Sequence, residues 1–180
     1  MYYPTEVYII SNFKIDGTNH IQYKDQTRNR YENVRRKVLK ACEVIKEPFI
    51  LMNDDIYFTQ QPDFPDWYDG TIKESIGGNS KYVQLLQKTL DHSKDGLNYS
   101  VHSPVVIDPD LFTDVTVEGL PFRNIYCSYS DREKKQIKDP KLRTLQDHYQ
   151  VERIAKNNPF FSTSDFSLKM ISEFMRKRFN

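Results

Sequence analysis

The chain has 180 residues, enough for one domain with a sizeable core and too few for two comfortable ones. Its 26 Lys and Arg nearly cancel its 25 Asp and Glu, so a formal charge of +1 excludes a broad nucleic-acid-binding field and leaves only local clusters to weigh. A mean hydropathy of −0.72 is polar, yet 12 Tyr and 11 Phe exclude a disordered composition, and no apolar run approaches the roughly 18 residues of a spanning helix. With nothing that resembles a signal peptide, the expectation is a cytoplasmic protein without membrane contact.

Val7, Tyr8, Ile9 and Ile10 form a β-favouring run over 6–11, and a second extended stretch over 20–23 follows the Asp16-Gly17 turn signal. Tyr31, Val34, Val38, Cys42 and Ile45 recur at spacings of three and four, which predicts an amphipathic helix ending near Lys46. Pro48 cannot continue it, and Phe49, Ile50, Leu51 and Met52 predict a buried strand that stops at Asn53, Asp54 and Asp55. Residues 62–70, with two prolines and Phe64, Trp67 and Tyr68, suit an ordered aromatic loop that could wall a site. A second helix is expected over 80–91. Strand-like segments are expected over 99–107 and 122–129, with a solvated charged connection over 131–143. Ser164 is a candidate N-cap for a last helix with Leu168, Ile171 and Met175 on one face. The alternation predicts an α/β domain with a mostly parallel sheet. Cys42 and Cys127 lie among apolar neighbours and are expected as buried reduced thiols rather than a disulfide.

The Asn53-Asp54-Asp55 cluster carries the chemistry. Two adjacent carboxylates raise each other's pKa unless a cation neutralises them, and Mg²⁺ or Mn²⁺ suits carboxylate oxygens while bridging to substrate phosphates. A simple turn also fits Asn and Asp; the place after a predicted buried strand favours a ligand site, because ligands bind at the carboxyl ends of such strands. Asn53 could orient an aspartate or reach a sugar hydroxyl. His102, before Ser103 and Pro104, is either a hydrogen-bonded structural residue or a site residue if others converge on it. Arg123 and Arg28 are candidates for phosphate, and Asp147 with His148 offers a donor pair to complete a metal shell. Arg176, Lys177 and Arg178 offset a helix dipole or hold nucleic-acid phosphates. The sequence contains no P-loop, dinucleotide fingerprint, paired CxxC, HExxH or GxSxG.

The stretch Phe49-Ile50-Leu51-Met52-Asn53-Asp54-Asp55-Ile56-Tyr57-Phe58 resembles the apolar strand, NDD motif and aromatic tail of the Stealth-type sugar-phosphate transferases and of related phage-encoded proteins similar to GT-A glycosyltransferases. The run before Ser11, the stretch over 20–25, Ala41-Cys42 on a helix, Phe64-Pro65 leading to Gly70, and His102-Ser103-Pro104 agree in order, and Phe161-Ser162-Thr163 matches more weakly. The resemblance implies one GT-A-like domain over 1–180, a mixed and mostly parallel sheet flanked by helices. It implies Asp54 and Asp55 as a DXD-like motif binding a nucleotide-sugar diphosphate through Mn²⁺ or Mg²⁺, with His102 and Arg123 across the same cleft.

The expected site therefore has His102 and Asp55 as catalytic residues. Asn53, Arg123, Arg28 and Trp67 contact substrate, and Asp54, Asp55 and His148 hold the metal. The expected activity is transfer of a sugar or sugar phosphate from a nucleotide-sugar to an acceptor hydroxyl, on a glycan or on a hydroxylated nucleic-acid base, in the host cytoplasm for a phage protein. The alternative is a binding protein that keeps the fold without the chemistry; a nuclease lacks a third acidic residue and a lysine set. In these families a further strand and helix precede the first strand, whereas only residues 1–5 do here. The donor pocket is then reduced, or completed by a homo-oligomer or a partner chain.

Overall fold

The computed structural model describes residues 6–14, 16–53, 55–60, 63–142, 148–164, 171 and 176, with the backbone alone for 148–150. The β-favouring run becomes β1 (Tyr8–Ser11), which pairs in parallel with β2 (Asn19–Gln22). Helix α1 (Arg30–Val44) starts where the Asn29 side chain accepts hydrogen bonds from the backbone N–H groups of Tyr31 and Glu32. Its buried stripe is Val38, Ala41 and Cys42, preceded by Glu32 and Asn33. Val34, which the spacing placed inside, is 43% exposed, because Glu32 and Asn33 take the inward positions of the first turns.

Strand β3 (Phe49–Leu51) leads into a turn and then β4 (Ile56–Phe58), followed by β5 (Asp66–Tyr68). The expected burial of the run ending at Met52 does not hold: Ile50 is 40% and Met52 41% exposed, since β3 has a single partner strand and presents one face to solvent. A capping box between Thr71 and Glu74 opens α2 (Ile72–Ser75), and Ser80 caps α3 (Lys81–Leu90), which buries Val83 and Leu86. Residues 99–104 are irregular rather than strand; only β6 (Val105–Ile107) is extended, antiparallel to β3. Asp108 then caps α4 (Pro109–Val115), with Pro109 in the first turn where its missing N–H costs nothing.

Residues 122–129 form a helix, α5 (Phe122–Tyr129), not the expected strand. The period decides it: Phe122, Ile125, Tyr126 and Tyr129 recur at three and four, and the first three are buried. The charged connection carries two short strands, β7 (Lys134–Gln136) and β8 (Lys141–Leu142), before α6 (His148–Asn157) and β9 (Phe160–Thr163). The cap expected at Ser164 leads into residues outside those described, apart from Ile171, which is helical and buried, and Arg176.

The fold is mixed α/β. Its strands build four small sheets among the described residues, rather than one mostly parallel sheet. Parallel pairs are β1 with β2, β5 with β7, and β8 with β9; β3 with β6 and β4 with β9 are antiparallel. Short strands make this possible, because three-residue segments pair with whichever neighbour the helices bring near. One core packs Val38 and Cys42 of α1 against Tyr99, Val105, Ile107, Phe112, Phe122 and Tyr126. A second gathers Leu142, Val151, Ala155, Phe161 and Ile171. Both cysteines are free and buried, as expected, and burial pushes the Cys42 thiol up to about 11.

Candidate functional site

Asn53 and Asp55 belong to a turn between strands of two different ladders, where the Ile56 N–H reaches the Asn53 carbonyl at 3.4 Å. Asn53 is exposed, whereas Asp55 turns inward. The Asp55 backbone carbonyl accepts from the Thr163 N–H at 3.0 Å, which fixes the turn against the end of β9. Its Oδ2 lies 3.8 Å from Lys141 Nζ, and its Oδ1 is buried without a hydrogen-bond partner among the described residues. Asp54 lies outside the described residues, and so does the side chain of His148, which opens α6.

The first turn of α5 holds the loop that carries His102. Arg123 Nη1 donates to the Val101 carbonyl at 3.2 Å, to the Ser103 carbonyl at 2.6 Å and to Ser103 Oγ at 3.3 Å, so one guanidinium nitrogen brackets His102 on both sides. Next to it, Asn124 Oδ1 accepts from the Tyr99 N–H at 2.6 Å while Asn124 Nδ2 donates to Ser100 Oγ. The Arg123 side chain is only partly covered, yet its guanidinium is deep enough that burial pulls it below its usual pKa; Cys127, Asp55 and Asp139 pull it back. Both carboxylates therefore act on Arg123 through space rather than by contact.

Asp139 completes the His102 environment. Its Oδ1 accepts the His102 backbone N–H at 3.3 Å and its Oδ2 lies 3.4 Å from His102 Nδ1, while its own N–H donates to Asp69 Oδ2. A carboxylate on Nδ1 fixes the ring and leaves Nε2 for a second proton partner.

Asp55, His102 and Arg123 thus come into one neighbourhood, joined by Asp139 and Lys141. Sequence reasoning missed the last two because they lie in a lysine-rich stretch with the signature of solvated surface; the Asp139-Pro140 turn pair was the only local hint. Arg28 is exposed on the approach to α1 and makes no hydrogen bond or ion pair among the described residues. Trp67, on β5, is half-buried and packs edge-on against Phe160 with ring centroids 5.7 Å apart, and its buried Nε1 lacks a hydrogen-bond partner among the described residues.

For Mg²⁺ or Mn²⁺, the described donors supply one fitting atom, the orphaned Asp55 Oδ1; no group of three His, Cys, Asp or Glu that could hold a metal occurs among the described residues. A shallow surface hollow between residues 22–26 and Lys40 and Glu43 contains none of the candidate residues. Among the described residues no helix is long and apolar enough to cross a membrane. Comparison with protein-family models, with curated proteins and with solved structures found no match.

Proposed function

We propose that the chain is a glycosyl or sugar-phosphate transferase of GT-A-like descent, with the donor diphosphate at Asp55 and the acceptor hydroxyl at His102. The observation that carries this is the position of Arg123, whose guanidinium binds the carbonyls on both sides of His102 and lies in the fields of Asp55 and Asp139. Residues far apart in sequence are thereby linked through one guanidinium, which supports reading them together.

In this reading Asp139 faces Nδ1 of His102, which leaves Nε2 as the nitrogen that takes the proton of the acceptor hydroxyl as general base. Arg123 positions the His102 loop, because its Nη1 is already committed to backbone carbonyls. Asp55 Oδ1, together with Asp54, would hold Mg²⁺ or Mn²⁺, which when bound neutralises charge on the departing phosphate. The acceptor is a hydroxyl on a glycan or on a hydroxylated nucleobase, and a second copy or a partner chain completes the nucleotide pocket.

Thermal unfolding with UDP-, GDP- and CMP-sugars, with and without Mn²⁺, identifies the donor by the rise in Tm that follows from binding the folded state alone. With that donor, Asp139→Asn is expected to bind normally and to lose about 10²-fold in turnover, the scale of general-base catalysis. No stabilisation and no turnover with any nucleotide sugar sinks the proposal. The commitment of Arg123 to the backbone favours one second reading, a binding protein without catalysis; stabilisation by a nucleotide sugar with no turnover in the unaltered chain selects it.

A further inference from the structure

We infer that Arg28, Arg30, Tyr31, Lys81 and Tyr82 form a docking surface for single-stranded nucleic acid, which makes the acceptor a nucleobase hydroxyl rather than a glycan. The inference rests on the transferase reading for the chemistry alone, since binding of the strand needs no transfer.

The centre of the surface is a stack of side chains. Tyr31 in the first turn of α1 and Tyr82 in the first turn of α3 lie ring on ring, with centroids 5.8 Å apart and an interplanar angle of 21°. Both are half-buried, and neither belongs to the two cores. The guanidinium of exposed Arg30 lies over Tyr31, 4.8 Å from the ring centroid, and its Nη2 donates to the Tyr31 hydroxyl at 2.7 Å. Bases pile on aromatic rings and on guanidinium groups alike, so a strand can extend this stack. A sugar ring needs a bare aromatic face, whereas the tyrosines face each other and Arg30 covers Tyr31.

The charge around the stack has one sign. Arg28, Arg30 and Lys81 make no ion pair among the described residues, and the segments 27–31 and 77–82 contain no carboxylate. Glu32 and Glu118, beside the same end of α1, are taken by Arg35 and Arg36. Three unpaired cations around stacked rings suit a ligand that alternates phosphates with planar bases; a neutral glycan leaves them unused. There is also room for its backbone, because Gly77 and Gly78 are exposed and a Cβ on either would meet nothing within 4 Å. The Tyr82 hydroxyl lies by Ser100 and in the field of Asp139, so the surface adjoins the loop that carries His102.

The test is fluorescence anisotropy of the full chain with a labelled oligodeoxynucleotide of about 12 nucleotides. The strand is expected to bind, and one of equal length and charge built from abasic sites should bind about tenfold or more weakly, the loss of base stacking. That comparison uses the unaltered chain, so no folding defect can confuse it. Arg28→Ala and Lys81→Ala should each weaken binding and lower the slope of log affinity against log salt by about 0.7, since each gives up one phosphate. Equal affinity for the abasic strand, unchanged salt slopes in both variants, or no binding by the unaltered chain overturns the surface, while the transferase reading stands with a glycan acceptor. Strand binding without turnover of any nucleotide sugar sinks the transferase reading and leaves the surface.

Discussion

Glu32 and Asp66 are removed from water to the same degree, 3% and 2% exposed, and the protein treats them in opposite ways. Glu32 on α1 receives Arg36 Nε at 2.6 Å, Arg35 Nη1 at 3.2 Å and the Gly119 N–H at 2.7 Å. Gly119 can offer that N–H because its φ of +77° is open to glycine, and its carbonyl also accepts from the Asn29 side chain. Burial pushes the Glu32 carboxyl up, but these donors and the charges of both arginines overcome it and hold it below the usual glutamate value. Among the described residues Asp66 on β5 closes no well-formed hydrogen bond with either oxygen, although the Ser130 hydroxyl and the Cys127 thiol lie against it, and burial holds its carboxyl above the usual range. Near-equal exposure with opposite titration goes with two differences, more donors around Glu32 and a greater depth of protein around Asp66. Glu32 is a brace, whereas Asp66, like Asp55 Oδ1, is polarity left unspent near α5.

The largest test of this contrast is Glu32→Ala, expected to cost about 3 kcal/mol in urea unfolding at neutral pH, as for a broken buried ion pair. The folded pKa lies below the ordinary 4.5, so the contribution of Glu32 is complete above that pH and is lost as pH falls through the folded value; the variant should show a flatter acid limb. A cost under about 0.5 kcal/mol breaks the contrast, since that is the scale of an ordinary surface change.

Asp66→Asn should act in the other direction, raising stability by about 1 kcal/mol at neutral pH as a buried charge with only weak donors is removed. Here the folded pKa is raised above 3.8, so the unaltered chain binds more protons than its unfolded form and loses stability as pH rises from 3.8 through the folded value. Asn should abolish that decline, and a variant less stable than the parent shows the carboxylate to be satisfied in solution.

The smallest stability effect is expected at Asp55. Its contact with Lys141 is long and partly exposed, so Asp55→Asn should change unfolding by less than about 0.5 kcal/mol. Binding of pyrophosphate with Mn²⁺ should nonetheless fall at least about tenfold, the scale of one charge-assisted contact. A stability loss as large as that of Glu32→Ala would move Asp55 to the structural side of the comparison.

Local signals were legible where one element determines its own form. Asn29 and Ser80 cap helices whose apolar spacing was plain, and Val7, Tyr8, Ile9 and Ile10 led into β1. Asp108 with Pro109 is an equally local signal for α4, and the sequence reading passed over it. Tertiary choices were not legible. Phe122, Ile125 and Tyr126 have strand-favouring side chains, and only their spacing reveals α5. The ladder pairings depend on three-residue strands whose partners lie up to about 100 positions away, as with Phe58 and Phe160. Of the candidate residues, Asp55 and His102 were singled out by their local sequence context, and Arg123 only as a cation suited to phosphate. Asp139 and Lys141 become visible only when the fold brings a charged stretch to meet them.

The grip of α5 on residues 99–103 has a kinetic consequence. The Tyr99 amide is tied to Asn124 and the carbonyls of Val101 and Ser103 to Arg123, and both anchors sit in the first turn of a helix whose Phe122 and Tyr126 belong to the main core. A loop held in this way does not open on its own clock. Release of the Tyr99 amide to solvent requires that turn to leave the core, so the amide's hydrogen exchange should keep pace with the slowest, most global openings of the protein rather than with surface loops.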